Sequence, residues 1–173
     1  MKKKTKLRMR RAFLHILVGV IILFLAAYYS ETRWLLFYVL LISIFLSFLS
    51  FFVKIPIVNF FLENFELERH KKVFPGKSFL FFLAGSLLVI KLFPHNVALA
   101  SIAILTFADP ISYFASIGDK RYNKKPFNSM KNIYGTLISI IIAVVVASFF
   151  VPIKYEVLAG IFSMLAEAFV IKI

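Results

Sequence analysis

Residues 108–136, ADPISYFASIGDKRYNKKPFNSMKNIYGT, contain the most informative stretch of this sequence. It opens inside an apolar segment, residues 97–117, in which Asp109 is the one carboxylate. It then passes through a loop with five basic residues and reaches Gly135 and Thr136 at the start of the next apolar segment. A carboxylate in a hydrophobic span is costly unless it faces a protein interior or a wet cavity, so Asp109 is a candidate functional residue. The basic loop beside it predicts a site for phosphate groups.

The composition predicts a membrane protein. Of 173 residues, 61% are hydrophobic and 17% are aromatic, which lies outside the range of soluble globular domains. The length suits a single all-α integral domain of about six transmembrane helices at roughly 20 residues each, with no room for a separate soluble domain. Because the sequence has no Cys, disulfides, thiolate nucleophiles and Cys-ligated metals are excluded.

The positions of the Lys and Arg residues explain the net charge of +13. If the N-terminus is cytoplasmic, 18 of the 21 Lys and Arg residues lie on that side, all but Arg33, Lys91 and Lys154. This distribution follows the positive-inside rule and places basic residues against anionic lipid headgroups, so nucleic acid is not an expected partner. We therefore expect both termini in the cytoplasm, in the plasma membrane of a prokaryote.

The apolar runs predict six spans, at residues 12–29, 34–53, 79–93, 97–117, 133–151 and 157–171. Between the second and third spans, residues 54–78 repeat their apolar side chains at helical spacing. That segment is expected to be an amphipathic helix lying in the membrane interface, ended by Pro75-Gly76. A tight turn is expected at residues 94–96.

This topology brings distant polar residues to a similar depth. Counted from the predicted span ends at about 1.5 Å per residue, His15, Asp109 and Glu167 fall within roughly 6–12 Å of the inner membrane boundary. Gly135 and Thr136 enter the fifth span from the same side. The polar residues of the spans thus converge on the cytoplasmic leaflet, where a nucleotide and a lipid hydroxyl can meet.

The central stretch resembles a known signature. Asp109-Pro110-x-Ser112, then Gly118, the basic run and a closing K-x-x-x-G-T at residues 131–136 are similar to the pattern of the membrane CTP-dependent lipid kinases. That family includes the dolichol, polyprenol, phytol and diacylglycerol kinases and is related to the phosphatidate cytidylyltransferases. Three further stretches are similar to it: residues 11–15 with Gly19, residues 68–76 with Arg69, and residues 165–169.

The resemblance implies CTP-dependent phosphorylation of a membrane lipid alcohol, assisted by Mg²⁺, at the cytoplasmic leaflet. The acceptor would be a polyprenol, dolichol, phytol or diacylglycerol. Asp109 would ligate Mg²⁺. The catalytic residues would be Asp109, Lys131, His15 and Glu167. The residues that would bind the nucleotide are Lys124, Lys125, Gly118, Gly135, Thr136 and Arg69.

Two departures from the family pattern keep other functions open. The family closes its loop with K-S-x-E-G-S, whereas Asn132 and Tyr134 stand at the Ser and Glu positions here. Relatives also carry Asp-Asp-Asn shortly after the segment that matches residues 165–169. This sequence stops at Ile173, so it is either cut short at its C-terminus or lacks those polar groups.

The alternatives are a cytidylyltransferase that makes a CDP-lipid, and an inactive or truncated homologue that acts as a membrane binding or assembly subunit. In a structural interpretation, His15 hydrogen-bonds a neighbouring helix, Glu167 is an interhelical partner of His15 or of a lysine, and Asp109 has a structural role.

Overall fold

The computed structural model describes residues 3–50, 52, 53, 56, 60, 64, 76–118 and 133–152. The regular structure within these ranges is helical, which agrees with the expected all-α class. The helices in chain order are α1 (Lys3–Tyr28), α2 (Thr32–Leu49), α3 (Lys77–Leu92), α4 (His95–Gly118) and α5 (Ile133–Ala147). The chain forms two compact units, Met1–Phe93 with α1 to α3 and Pro94–Ile173 with α4 and α5.

Three described helices are long and apolar enough to cross a membrane: Met9–Tyr28, Thr32–Leu49 and His95–Ala115. At 1.5 Å per residue their lengths are close to the roughly 30 Å of a bilayer core. They correspond to the first, second and fourth predicted spans. The third and fifth predicted spans are shorter helices of 16 and 15 residues.

The sixth predicted span and most of the predicted interface helix lie outside the described residues. Six spans therefore remain a prediction, whereas a helical chain with three membrane-length apolar helices is what the structure describes.

The first unit begins with a helical hairpin whose turn is held by Thr32. This residue is 2% exposed, and its hydroxyl lies 2.7 Å from the Leu25 carbonyl oxygen and 2.6 Å from that of Tyr29. Beside the turn, the Arg33 guanidinium lies 5.9 Å from the centre of the Trp34 ring. Exposed aromatic side chains next to a cation are typical of a membrane–water boundary, which fits the polar break expected here.

Helix α3 packs against α2 and, less extensively, against α1. Its buried residues are Leu80, Phe82, Leu83 and Ser86. Gly76 precedes the helix with φ 75°, in the left-handed region that favours glycine. The predicted end of the preceding helix at Pro75-Gly76 lies outside the described residues except for Gly76, which directly precedes α3.

The turn expected at residues 94–96 is shorter than predicted. Only Phe93 and Pro94 separate α3 from α4, and His95 is already helical. Pro94 directly precedes the first helical residue, and its carbonyl accepts a bond from Ala98 N–H at 2.9 Å. Proline suits this place because its fixed φ and missing N–H cost nothing at a helix start.

In the second unit, α4 and α5 pack through residues repeated every fourth position, all of them small except Ile104. The buried core consists of Ala100, Ile104 and Ala108 of α4 with Ala143 and Ala147 of α5. Gly135 and Ser139 continue the same row of α5 and are also buried. Small residues at this spacing let two helix backbones approach closely, as in membrane helix pairs.

This core joins the first and middle turns of α4 to the second half of α5, so the helices run antiparallel. The last turns of α4 and the first turns of α5 therefore lie at the same end of the second unit.

Candidate functional site

Asp109 lies in α4, inside the membrane-length apolar stretch His95–Ala115. It is half-buried, between the buried residues Ala108 and Pro110. Nine residues separate it from Gly118, which places it about 13 Å from the end of the helix. The prediction of a carboxylate deep within an apolar helix is thus met by the structure. Its chemical role is a separate question.

The backbone next to Asp109 departs from a regular helix. Pro110 lies inside α4 and has no N–H to donate to the Thr106 carbonyl four residues earlier. Two hydroxyls bond to carbonyls on either side of this point. Thr106 Oγ1 donates to the Ile102 carbonyl at 2.7 Å, and Ser112 Oγ donates to the Asp109 carbonyl at 2.7 Å. Asp109 therefore sits where one bond of the helix ladder is absent and hydroxyl groups are close by.

The predicted nucleotide-binding glycines lie at the end of the hairpin. Gly118 is the last residue of α4, Gly135 is buried in the first turn of α5, and Thr136 is half-buried beside it. Thr136 lies about 4–5 Å into its helix, so Asp109 is roughly 9 Å deeper along the hairpin axis. The structure thus brings these four residues to one half of one hairpin, at two different levels.

Two serines between these levels were not assigned a role from the sequence. Ser112 and Ser139 are 0% and 1% exposed, and each lies six residues, about 9 Å, from its end of the hairpin. Ser139 Oγ donates to the Thr136 carbonyl at 2.7 Å. The signal that identifies them is the four-residue repeat of small side chains, which marks the faces where α4 and α5 meet.

His15 lies in α1 of the first unit and is half-buried. Its ring packs against Phe82 of α3, with 4.3 Å between ring centroids and 55° between ring planes. Phe82 is itself buried. His15 thus takes part in aromatic packing between α1 and α3, and both the interhelical hydrogen bond and the catalytic role considered for it stay predictions.

The remaining predicted site residues lie outside the described part of the chain. They are the loop lysines Lys124, Lys125 and Lys131, together with Arg69 and Glu167. Their assignments stay predictions.

A Mg²⁺ ion at this site would take oxygen ligands from the protein. Among the described residues no group of three or more His, Cys, Asp or Glu side chains is arranged to hold a metal. Mg²⁺ often takes only one or two carboxylates and completes its shell with phosphate oxygens and water. Asp109 fits that use, as one ligand of an ion shared with a bound phosphate.

The second unit therefore combines a carboxylate at depth, buried hydroxyls and a glycine in the first turn of a helix. Comparison of the chain with models of protein families, with curated proteins and with solved structures finds no match. Any functional assignment consequently depends on the residues and their arrangement.

Proposed function

We propose that this protein is an integral-membrane lipid kinase that transfers the γ-phosphoryl group of CTP to the hydroxyl of a membrane lipid alcohol. The observation that carries the proposal is the half-buried Asp109 in a membrane-length apolar helix. The last turns of that helix lie at the same end of the second unit as the first turns of α5. The donor and the class of acceptor, polyprenol, dolichol, phytol or diacylglycerol, follow from the resemblance of residues 109–136.

Phosphoryl transfer requires positioning and charge stabilisation more than covalent participation by the protein. Asp109 would hold Mg²⁺, and that ion would supply positive charge to stabilise the charge developing on the phosphate. The start of α5 carries the positive end of the helix dipole, which is a favourable place for phosphate. Gly135 lacks a side chain that would obstruct a phosphate there. Lys131, two residues before α5, would add a cation at the same place.

In the proposed reaction the lipid hydroxyl oxygen attacks the γ-phosphorus of CTP. The bond from that phosphorus to the β–γ bridging oxygen breaks, CDP leaves, and the hydroxyl proton is released. A site about 13 Å from the end of α4 suits this chemistry, because a long-chain alcohol stays in the membrane while the nucleotide enters from the water. We place the site at the cytoplasmic leaflet of a prokaryotic plasma membrane, since most basic residues are predicted on that side.

Product analysis tests this proposal. The full chain, reconstituted in nanodiscs, would be incubated with Mg²⁺, CTP and either a polyprenol or diacylglycerol. We expect CDP and a lipid monophosphate in equal amounts. With a lipid phosphate as acceptor, pyrophosphate and a CDP-lipid would instead identify a cytidylyltransferase. A folded chain that turns over neither substrate would support a binding or assembly subunit and contradict the kinase proposal.

A further inference from the structure

A polar contact joins Arg10, in the third turn of α1, to the helical residue Asn64. Arg10 Nη1 donates to Asn64 Oδ1 at 3.0 Å, and Asn64 Nδ2 donates to the Phe60 carbonyl at 2.9 Å. The second bond orients the amide so that its oxygen faces the guanidinium. An arginine carries five N–H donors in a planar fork, so the bond to Asn64 orients this group and still allows it to bind an anion.

A cavity of about 360 Å³ opens at this contact, and the described residues that line it are Arg10, Asn64, Phe13 and Phe60. Its size lies at the lower end of the range for small-ligand pockets, about 300–1,000 Å³. Phe13 and Phe60 are 66% and 63% exposed. Arg10 and Phe13 are three residues apart, and Phe60 and Asn64 are four apart. In each pair the polar and the aromatic side chain therefore lie on the same helix face. The result is a cationic end beside an apolar wall.

The depth of the cavity in a membrane follows from the span that it borders. The membrane-length stretch of α1 begins at Met9, so Arg10 lies at its very start and Phe13 about 4–5 Å deeper. Lipid phosphates lie at the edge of the hydrocarbon core, and acyl chains begin just below them. Arg10 and, below it, Phe13 therefore match the order of groups in a phospholipid.

We propose that this cavity binds one anionic phospholipid, with its phosphodiester on the Arg10 guanidinium and its acyl chains along Phe13 and Phe60. Charge complementarity supports an anionic occupant, because residues 1–11 carry seven basic residues and no acid. Arginine suits phosphate because its fork donates two parallel hydrogen bonds. The inference concerns the first unit and does not depend on the proposed kinase activity.

Native mass spectrometry of the full chain, released from nanodiscs of mixed phosphatidylglycerol and phosphatidylcholine, tests this binding. We expect the chain to retain one phosphatidylglycerol in preference to phosphatidylcholine. Equal retention of the two lipids would overturn the proposal without any variant. Excess glycerol phosphate, which has the anionic group but no acyl chain, should not displace the lipid. Displacement would mean that the site takes a soluble phosphate.

A matched pair of variants separates a built site from general surface charge. Arg10→Gln should weaken phosphatidylglycerol binding about tenfold or more, as expected for losing hydrogen bonds to a charged group. Arg11→Gln removes the same charge from the neighbouring residue, which is not among those that line the cavity. It should weaken binding about fivefold or less, the effect of one cation near an anionic surface. Equal losses in the two variants would show that general electrostatics, and not this cavity, holds the lipid.

Discussion

At the scale of single residues, Asp109 is the position where sequence and structure agree most closely. Its depth was predicted from the length of the apolar segment, and the helix that contains it ends within a residue of the expected place. Its immediate surroundings were not predictable. The hydroxyl bonds of Thr106 and Ser112 depend on side-chain rotamers within the helix, and rotamers are not visible in a pattern of residue types.

The loop lysines allow a test of how the site uses charge. Lys131 lies two residues before α5, where it would reach a phosphate bound at the helix start. Lys131→Ala should lower the turnover number about 10²-fold or more, as the loss of one well-placed charge stabiliser does. Lys125→Ala should mainly raise the apparent KM for nucleotide, because a capture residue contributes equally to substrate and transition state.

Steady-state kinetics of both lysine variants in nanodiscs, at two salt concentrations, would make this comparison. If both variants change only the KM, or if added salt reproduces both effects, then the loop attracts nucleotide by general electrostatics and Lys131 is not at the reacting centre.

At the scale of helices, the α4–α5 hairpin positions the site through its small side chains. Ala108 and Ala143 are 0% exposed, so the two helices meet closely at the level of Asp109. The sequence predicted both helices from their apolar runs but not the face on which they meet. An apolar helix in a membrane has no polar side to indicate its outward face, and the four-residue repeat of small residues is the signal that remains.

A larger side chain at this contact should separate the helices. Ala143→Leu adds volume at a fully buried helix contact, and overpacking of a core costs about 1–3 kcal/mol. We expect a lower Tm in detergent and reduced turnover, because the two ends of the site would move apart. Ala27→Leu makes the same substitution at an exposed position of α1 and should leave the Tm nearly unchanged. A Tm for Ala143→Leu as high as that of the control would show that this contact is not close-packed.

At the scale of the whole molecule, the sequence predicted helical class and the first two helices well, because long apolar runs and a polar break at residues 30–33 determine them. The prediction was less accurate at Pro94. A turn was expected at residues 94–96, whereas only Phe93 and Pro94 lie between the two helices. The packing of His15 on Phe82 was also beyond the sequence, because the contact depends on how α3 docks.

The predicted orientation in the membrane can be measured by cysteine labelling, because the sequence has no Cys of its own. Arg33→Cys and Lys124→Cys would each introduce a unique thiol for a membrane-impermeant maleimide. We expect the first to react from the outside of intact cells and the second only after the membrane is opened, because basic residues concentrate on the cytoplasmic side. Labelling of both positions from one side would refute the proposed topology and the placement of the site at the inner leaflet.

Magnesium-dependent lipid phosphorylation by the reconstituted chain and its Asp109→Asn variant is the most direct test of the proposed function. The amide has nearly the same size as the carboxylate but lacks the charge that a metal ion requires. We predict that the variant assembles in nanodiscs with a Tm close to that of the wild type and loses lipid phosphorylation. Unchanged turnover in Asp109→Asn would contradict a catalytic role for this residue, and failure of the variant to assemble would show that Asp109 supports the fold instead.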